Sequence, residues 1–214
     1  VASVSFDATT NTLTLNEVWI DASNNEAIVS DLANLTIFLV GENGINGSNG
    51  FTFNKSSSVE KATITFTTDE ESNGSLYIYN LEERLFGAGV TPAYTDVSIK
   101  HDGDSHTIDS QLGVRVAGID VTLFNKGNVL GDGKVSYNPE TYTLTLNNAT
   151  IEPEEETSGI DFSHDEDFTI ALIGDNSVRG GEGCTAISHS YGVETPNLYF
   201  AKGDAAQHFS LTLT

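Results

Sequence analysis

Four carboxylates lie close together in the second half of the chain, in a turn between two runs with the apolar pattern of strands. Carboxylate oxygens are the hard ligands that Ca²⁺ prefers, so this cluster is the candidate metal site and calcium the candidate cofactor. Its spacing matches neither an EF-hand nor a glycine-rich calcium repeat, and a solvated acidic turn is the alternative. The four residues are Asp161, Asp165, Glu166 and Asp167.

Aromatic side chains at strand positions form the second candidate set. In a strand, successive side chains point to opposite faces, so if Val18 and Ile20 face inward, the intervening Trp19 faces outward. An outward ring can stack on the apolar C–H face of a sugar while nearby carboxylates and amides accept hydrogen bonds from its hydroxyl groups. Alternatively, these rings pack against the neighbouring module or against residues 81–133. The candidate ligand-binding residues are Trp19, Phe38, Tyr77 and Tyr79.

The elements that must position these residues are short β-strands. Apolar and polar residues alternate in runs such as 13–20 and 35–39, and Asn, Gly and Asp separate the runs. Residues 4–6 and 12–15 are joined by a polar, turn-prone connection, which predicts a hairpin that could cap a solenoid. The runs recur at the rung length of a parallel β-helix. We therefore predict an all-β, parallel β-helix-like solenoid, with two β-sandwich-like domains as the alternative.

The chain contains an internal duplication. Residues 4–20 match residues 135–151 at nine of 17 positions, and residues 35–43 match residues 168–176 once the offset grows by two. Such gaps are what loop insertions produce between repeats. The duplication predicts two homologous β modules, residues 1–105 and residues 106–214. The four outward aromatic residues of the first copy meet smaller residues in the second, which are Thr150, Ala171, Thr212 and Thr214.

The reactive side chains form no recognisable catalytic pattern in the sequence. Cys184 aligns with Phe51 of the first copy, which predicts a buried, inert thiol. No motif places a Lys or Arg beside paired carboxylates, so we expect no enzymatic activity. The histidines have no metal-ligand spacing, which is typical of surface or turn positions. They are His101, His106, His164, His189 and His208.

The net charge excludes one class of partner. The chain has 31 Asp and Glu residues against nine Lys and Arg residues, a formal charge of −22. Such a field repels phosphate backbones and anionic lipids, which excludes nucleic acid as a partner. No apolar run reaches the length of a membrane span, so we expect no direct membrane insertion. The chain has no Met and no basic-then-apolar leader, which predicts a processed or trimmed portion of a longer protein.

Four segments of the second copy carry a family resemblance. They read KVSYNPET (134–141), TLTLNNATI (143–151), FTI (168–170) and LIGDNSV (172–178). They resemble a family of bacterial extracellular carbohydrate-binding domains with a right-handed parallel β-helix. The resemblance covers the second copy well and the first in outline, and its motifs describe strands and turns rather than a ligand site. It implies that fold, together with polysaccharide binding at a bacterial surface and bound Ca²⁺.

These observations lead to one functional expectation and one alternative. We expect a secreted or cell-surface bacterial protein that binds polysaccharide and is not an enzyme. The alternative is a structural or adhesive surface domain that binds protein partners and no glycan. Exposure of Trp19, Tyr77 or Tyr79 beside polar acceptors would favour glycan binding, and burial of all of them would favour the structural function.

Overall fold

The computed structural model consists of β-strands joined by turns, with no helix among the residues that it describes. Those residues are 1–23, 25–47, 52–79, 84–154, 156–190, 196–203 and 208–214. The chain divides into two compact units, Val1–Ser110 and Gln111–Thr214, and each is a parallel β-helix-like solenoid. The predicted fold class is confirmed, and the β-sandwich alternative is wrong because strands of successive turns pair in parallel.

The first unit winds through three turns. Sheet A contains β2, β5, β8 and β10 as parallel neighbours, with β1 antiparallel outside β2. Sheet B contains β3, β6 and β9 in parallel, followed by the antiparallel hairpin β12–β11, and β4 pairs with β7 on the third face. The strands are β1 (Ser3–Asp7), β2 (Thr12–Asn16), β3 (Trp19–Ser23), β4 (Ile28–Ser30), β5 (Asn34–Val40), β6 (Glu42–Gly47), β7 (Phe53–Lys55), β8 (Ala62–Thr67), β9 (Ser75–Tyr79), β10 (Val90–Thr95), β11 (Ser98–Asp102) and β12 (Ser105–Asp109).

Alternation of side chains builds the core of this unit. Leu35, Ile37 and Leu39 on β5 are buried, and the residues between them face outward. Ile45 and Ile78 on sheet B are completely buried in the same apolar cluster. Complete burial of a Leu or Ile side chain stabilises a fold by about 1.5–3 kcal/mol, so the inward stripe holds the turns together. The predicted hairpin is present as β1 and β2.

A buried asparagine fixes the corner between sheets A and B. The Asn43 side-chain amide donates hydrogen bonds to the carbonyl oxygens of Val40, Gly41 and Ser75, each at 3.1 Å. Its Oδ1 accepts a hydrogen bond from the backbone N–H of Val18 at 3.0 Å. Gly41 has a φ of +59°, a left-handed conformation that favours glycine. The amide thus satisfies backbone groups of three successive turns where the chain changes direction.

The second unit repeats this winding. β16, β19 and β21 run parallel on sheet C with β15 antiparallel outside β16, and β17, β19 and β22 run parallel on sheet D. On sheet E, β13 pairs antiparallel with β14 and β18, and β18 pairs in parallel with β20. The strands are β13 (Gln111–Val116), β14 (Ile119–Thr122), β15 (Val135–Asn138), β16 (Thr143–Asn147), β17 (Thr150–Ile151), β18 (Ile160–Phe162), β19 (Phe168–Val178), β20 (Ile187–His189), β21 (Leu198–Lys202) and β22 (Phe209–Leu213).

The corner asparagine is duplicated together with the strands. Asn176, the counterpart of Asn43, donates to the carbonyl oxygens of Ile173, Gly174 and Ser210 at 3.1–3.3 Å. Its Oδ1 accepts from the backbone N–H of Ala149 at 2.9 Å. Gly174 has a φ of +67°, as Gly41 does at the first corner. The duplication therefore holds for hydrogen bonds as well as for sequence.

β10 and β12 cover the third turn of the first unit. In the first unit, β10 pairs with β8 and β12 pairs with β9, and Phe66 and Ile78 are completely buried. Sheet register makes Phe200 on β21 and Leu213 on β22 their counterparts, and these are 49% and 47% exposed. β10 and β12 thus bury this layer of apolar side chains in the first unit.

Two local predictions differ from the structure. A boundary after residue 105 would cut through β12, but β12 pairs with β9 and β11, so the first unit extends to Ser110. Cys184 lies in a turn and is partly exposed rather than buried in a strand. The prediction of burial depended on alignment with Phe51, which lies outside the described residues.

Candidate binding face of the first unit

Sheet B places three of the predicted ligand-binding residues on one outward surface. Trp19 on β3 lies opposite Gly44 on β6, and Gly44 lies opposite Tyr77 on β9. Tyr79 follows two positions after Tyr77, so strand alternation sends it to the same side, while Ile78 between them is buried. We call the surface formed by Trp19, Tyr77 and Tyr79 the aromatic face.

Two rings of the aromatic face stack across a glycine. The Trp19 and Tyr79 ring centroids are 5.9 Å apart, with an angle of 16° between the ring planes. A Cβ atom at Gly44 would lie 2.4 Å from the Trp19 ring and 2.7 Å from the Tyr79 hydroxyl oxygen. Glycine at this position therefore makes room for the two rings above the sheet. Trp19 remains 64% exposed, so much of its surface is open to solvent.

Polar groups border the aromatic face on the side of Tyr79. Asp21 lies opposite Asn46, and Asn46 lies opposite Tyr79, so the three residues form the next row across the sheet. The Asn46 side-chain amide donates a hydrogen bond to the Asp21 carboxylate at 3.4 Å. This row places carboxylate, amide and phenol groups beside the Trp19 ring, and such groups can donate hydrogen bonds to hydroxyl groups or accept them.

The opposite border ends in an ion pair. Thr107 on β12 lies opposite Tyr77, and Lys100 on β11 lies opposite Thr107. The Lys100 ammonium is 2.8 Å from a carboxylate oxygen of Asp109, which is buried. The hairpin thus extends the aromatic face with a hydroxyl group and a partly exposed cation.

The Tyr79 phenol stays neutral at physiological pH. Its pKa is raised because partial burial disfavours the charged form and because Tyr77, when ionised, would repel it. A neutral phenol both donates and accepts a hydrogen bond. Tyr79 can therefore contact a sugar hydroxyl in either role.

The fourth predicted residue lies on a different sheet. Phe38 is on β5 of sheet A, opposite Thr14 and Thr67, where it faces outward and is partly buried. It does not share a surface with the aromatic face on sheet B. The structure therefore brings together Trp19, Tyr77 and Tyr79 and places Phe38 apart from them.

The corresponding row of the second unit carries small polar residues. Thr150 lies opposite Ser177, and Ser177 lies opposite Thr212, in the same register as Trp19, Gly44 and Tyr77. This row therefore lacks the aromatic rings of the first unit, as the comparison of the two copies predicted, and it also lacks the glycine between them.

The predicted metal-binding carboxylates do not converge. Asp161 accepts hydrogen bonds from the hydroxyl groups of Ser188 and Ser190. Asp167 accepts from the backbone and side-chain N–H groups of Asn197 at 2.8 and 2.9 Å, and these bonds lower the pKa of its carboxyl. Within the described ranges, no group of three or more His, Cys, Asp or Glu residues could hold a metal ion. The calcium site, which also included Asp165 and Glu166, stays a prediction.

Several residues that lie at or near the surface of sheet B were not predicted from the sequence. Asp21 and Asn46 border the aromatic face, and the two-residue step from Trp19 to Asp21 is the signal that would have placed Asp21 there. His101 and His106 lie opposite each other on β11 and β12. Their signal is a two-residue turn, Gly-Asp, midway between them, because such a turn closes a hairpin.

Comparison with known proteins does not assign the chain to a family. No family model matches the sequence, and neither a curated protein nor a solved structure matches it. In the part of the chain that the structure describes, no helix is long and apolar enough to cross a membrane. The geometry of the aromatic face is therefore the basis for a functional proposal.

Proposed function

We propose that the aromatic face binds polysaccharide and that the protein is a non-catalytic, extracellular polysaccharide-binding module at a bacterial cell surface. The observation that carries this proposal is Trp19, which is 64% exposed on a sheet face that also bears Tyr77 and Tyr79. An exposed ring that shares a face with other aromatic side chains offers an apolar contact surface, and sugars present a matching apolar face.

The arrangement of groups favours an extended glycan over a small ligand. The aromatic face crosses three neighbouring strands, which are spaced about 4.8 Å apart in a sheet, and it is open rather than enclosed. An open row of rings bordered by hydrogen-bonding groups suits successive units of a chain. The net charge of −22 opposes polyanions, so the proposed ligand is a neutral polysaccharide.

The test is binding of the untagged protein to glycan arrays and to insoluble neutral polysaccharides, with acidic polysaccharides for comparison. Each measurement is made with Ca²⁺ and with a chelator. Trp19→Ala should weaken binding by at least about tenfold, the loss expected when about 1.4 kcal/mol of contact is removed. Phe38→Ala is the matched control, because it removes an aromatic side chain from sheet A, and it should bind as the wild type does.

A second function has one observation in its favour. Trp19 already stacks on Tyr79, and Trp and Tyr are also enriched at protein–protein interfaces. This supports a structural or adhesive surface domain whose partner is another surface protein. Absence of binding to every glycan, or equal binding by wild type and Trp19→Ala, would reject the polysaccharide proposal in favour of this second function.

A further inference from the structure

The hairpin of β11 and β12 brings two imidazole rings into direct contact. His101 and His106 are cross-strand neighbours. Their Nδ1 atoms are 2.8 Å apart, with ring centroids 4.6 Å apart and ring planes at 82°. Two imidazole nitrogens at this distance share one proton, because one Nδ1 must donate and the other must accept. At least one ring is therefore neutral and directs a nitrogen lone pair at its neighbour.

A metal ion could replace that shared proton with little movement. Imidazole nitrogens bind Zn²⁺ at about 2.0–2.1 Å, so two ligands of one tetrahedral ion are about 3.3–3.4 Å apart. The observed separation of 2.8 Å is shorter than this by about 0.5 Å. Small side-chain rotations would open the pair enough to admit an ion.

The backbone beneath the pair is held by the core of the first unit. Ile99 and Ile108 form the cross-strand pair two positions farther from the turn than His101 and His106. Ile108 also lies opposite Leu76 on β9. Ile108 and Leu76 are completely buried. Because these contacts set the register of β11 and β12, the two imidazoles face each other before any ligand binds. Preorganised ligands lose less conformational entropy on binding.

Local electrostatics also suit a cation. One proton lies between the two Nδ1 atoms, so at least one of the two rings is neutral. The neutral imidazole is the form that binds metals. The net charge of −22 raises the concentration of divalent cations near the surface.

We propose that His101 and His106 form a binding site for a divalent transition-metal ion of the Zn²⁺ and Cu²⁺ class, with water completing the coordination. Imidazole ligands select these ions over Ca²⁺, which prefers oxygen. The site is separate from the predicted carboxylate cluster and does not depend on the proposed function. Bound metal would join β11 to β12 next to the turn and stabilise the hairpin that covers the third turn of the first unit.

Calorimetric titration of the untagged, metal-free protein with Zn²⁺ tests the site. We expect one ion per chain, and His101→Ala and His106→Ala should each weaken binding by at least about tenfold because each removes one of two ligands. His208→Ala is the matched control, since this exposed histidine is 3.5 Å from Asp175 and belongs to the second unit. It should leave the Zn²⁺ affinity unchanged, and Ca²⁺ should not compete.

A spectroscopic measurement on the wild type guards against variants that fail to fold. Bound Cu²⁺ should show two imidazole nitrogens by electron paramagnetic resonance at one equivalent of metal. The proposal is overturned if Zn²⁺ does not bind, if the two alanine variants bind as the wild type does, or if the Cu²⁺ spectrum shows fewer than two nitrogen ligands.

Discussion

The corner asparagines Asn43 and Asn176 show how one side chain can determine a local fold. Each amide is buried and connects backbone groups from three turns of its unit. Leaving a buried N–H group without a partner costs more free energy than one hydrogen bond typically contributes. The asparagine that supplies the partner is therefore hard to replace. Leu cannot substitute for it, although the core around it is apolar.

Removal of either amide should destabilise its own unit. Asn43→Ala leaves the Val18 N–H without the acceptor that it has in the fold, and Asn176→Ala does the same to the Ala149 N–H. We expect a loss of about 1–3 kcal/mol in each case. Urea denaturation measures it, and Asn46→Ala, on the outward side of β6, is the control, with a smaller effect. Equal losses for Asn43→Ala and Asn46→Ala would contradict the importance of the corner.

His164 should make the second unit sensitive to acid. Burial lowers its pKa, against opposing effects of Glu166 and Asp165 and with a small contribution from His189. The ring packs near Tyr142, Phe162 and Phe168, and its Nδ1 donates to the Glu166 carbonyl oxygen at 3.1 Å. Since the folded pKa lies below the unfolded value of about 6.5, the unfolded chain takes up the proton first as pH falls.

The expected result is a loss of stability that begins as pH falls through about 6.5 and ends at the lower pKa of the folded state. Urea unfolding of the wild type and of His164→Phe at about pH 7.5 and about pH 5.5 measures it. The variant keeps an aromatic ring without a titrating nitrogen, so its stability should change less with pH. The same pH dependence in both proteins would exclude His164 as the cause.

At the scale of elements, β10 and the hairpin β11–β12 cover the third turn of the first unit. Tyr94 on β10 stacks on Phe66, with ring centroids 5.8 Å apart, and Phe66 is completely buried. Phe200 has the equivalent position in the second unit but no such neighbour strand among the described residues. We therefore expect Phe66 and Phe200 to contribute differently to the free energy of unfolding, although they have equivalent positions in the two units.

A matched pair of substitutions measures this difference. Phe66→Ala should cost about 3–5 kcal/mol, because it opens a cavity in a packed core. Phe200→Ala removes a ring that is 49% exposed and should cost less than about 1 kcal/mol. Thermal and urea unfolding of both variants provide the comparison. Similar losses would mean that β10 contributes little to the burial energy of the third turn.

Much of the strand pattern could be predicted from the sequence, because alternation and the internal match are local properties. The β1–β2 hairpin and the outward direction of Trp19 follow from period-two spacing alone. The antiparallel pairing of β12 with β9 could not be predicted, because strand pairing is a long-range choice that alternation does not specify. For the same reason, the predicted boundary fell inside β12, and the contact between His101 and His106 was not anticipated.

At the scale of the whole chain, the two units have separate cores and share a plan. One apolar cluster includes Leu15, Phe53 and Ile108, and the other includes Val135 and Phe168. The acidic composition places the chain far from neutrality, which favours solubility and opposes binding of anions. Neither the separate cores nor the acidic composition depends on the aromatic face, so the residues of that face can change without altering the core.

Thr150, Ser177 and Thr212 of the second unit occupy the positions that Trp19, Gly44 and Tyr77 have in the first unit. Replacing the two threonines by Trp and Tyr, and Ser177 by Gly for clearance, would reproduce the row Trp19, Gly44 and Tyr77 in the second unit, without the Tyr79 ring that stacks on Trp19. All three changes lie on outward positions, so the inward packing is left intact. Duplication has thus supplied a second sheet face with the same register, on which these side chains can be exchanged without altering the core.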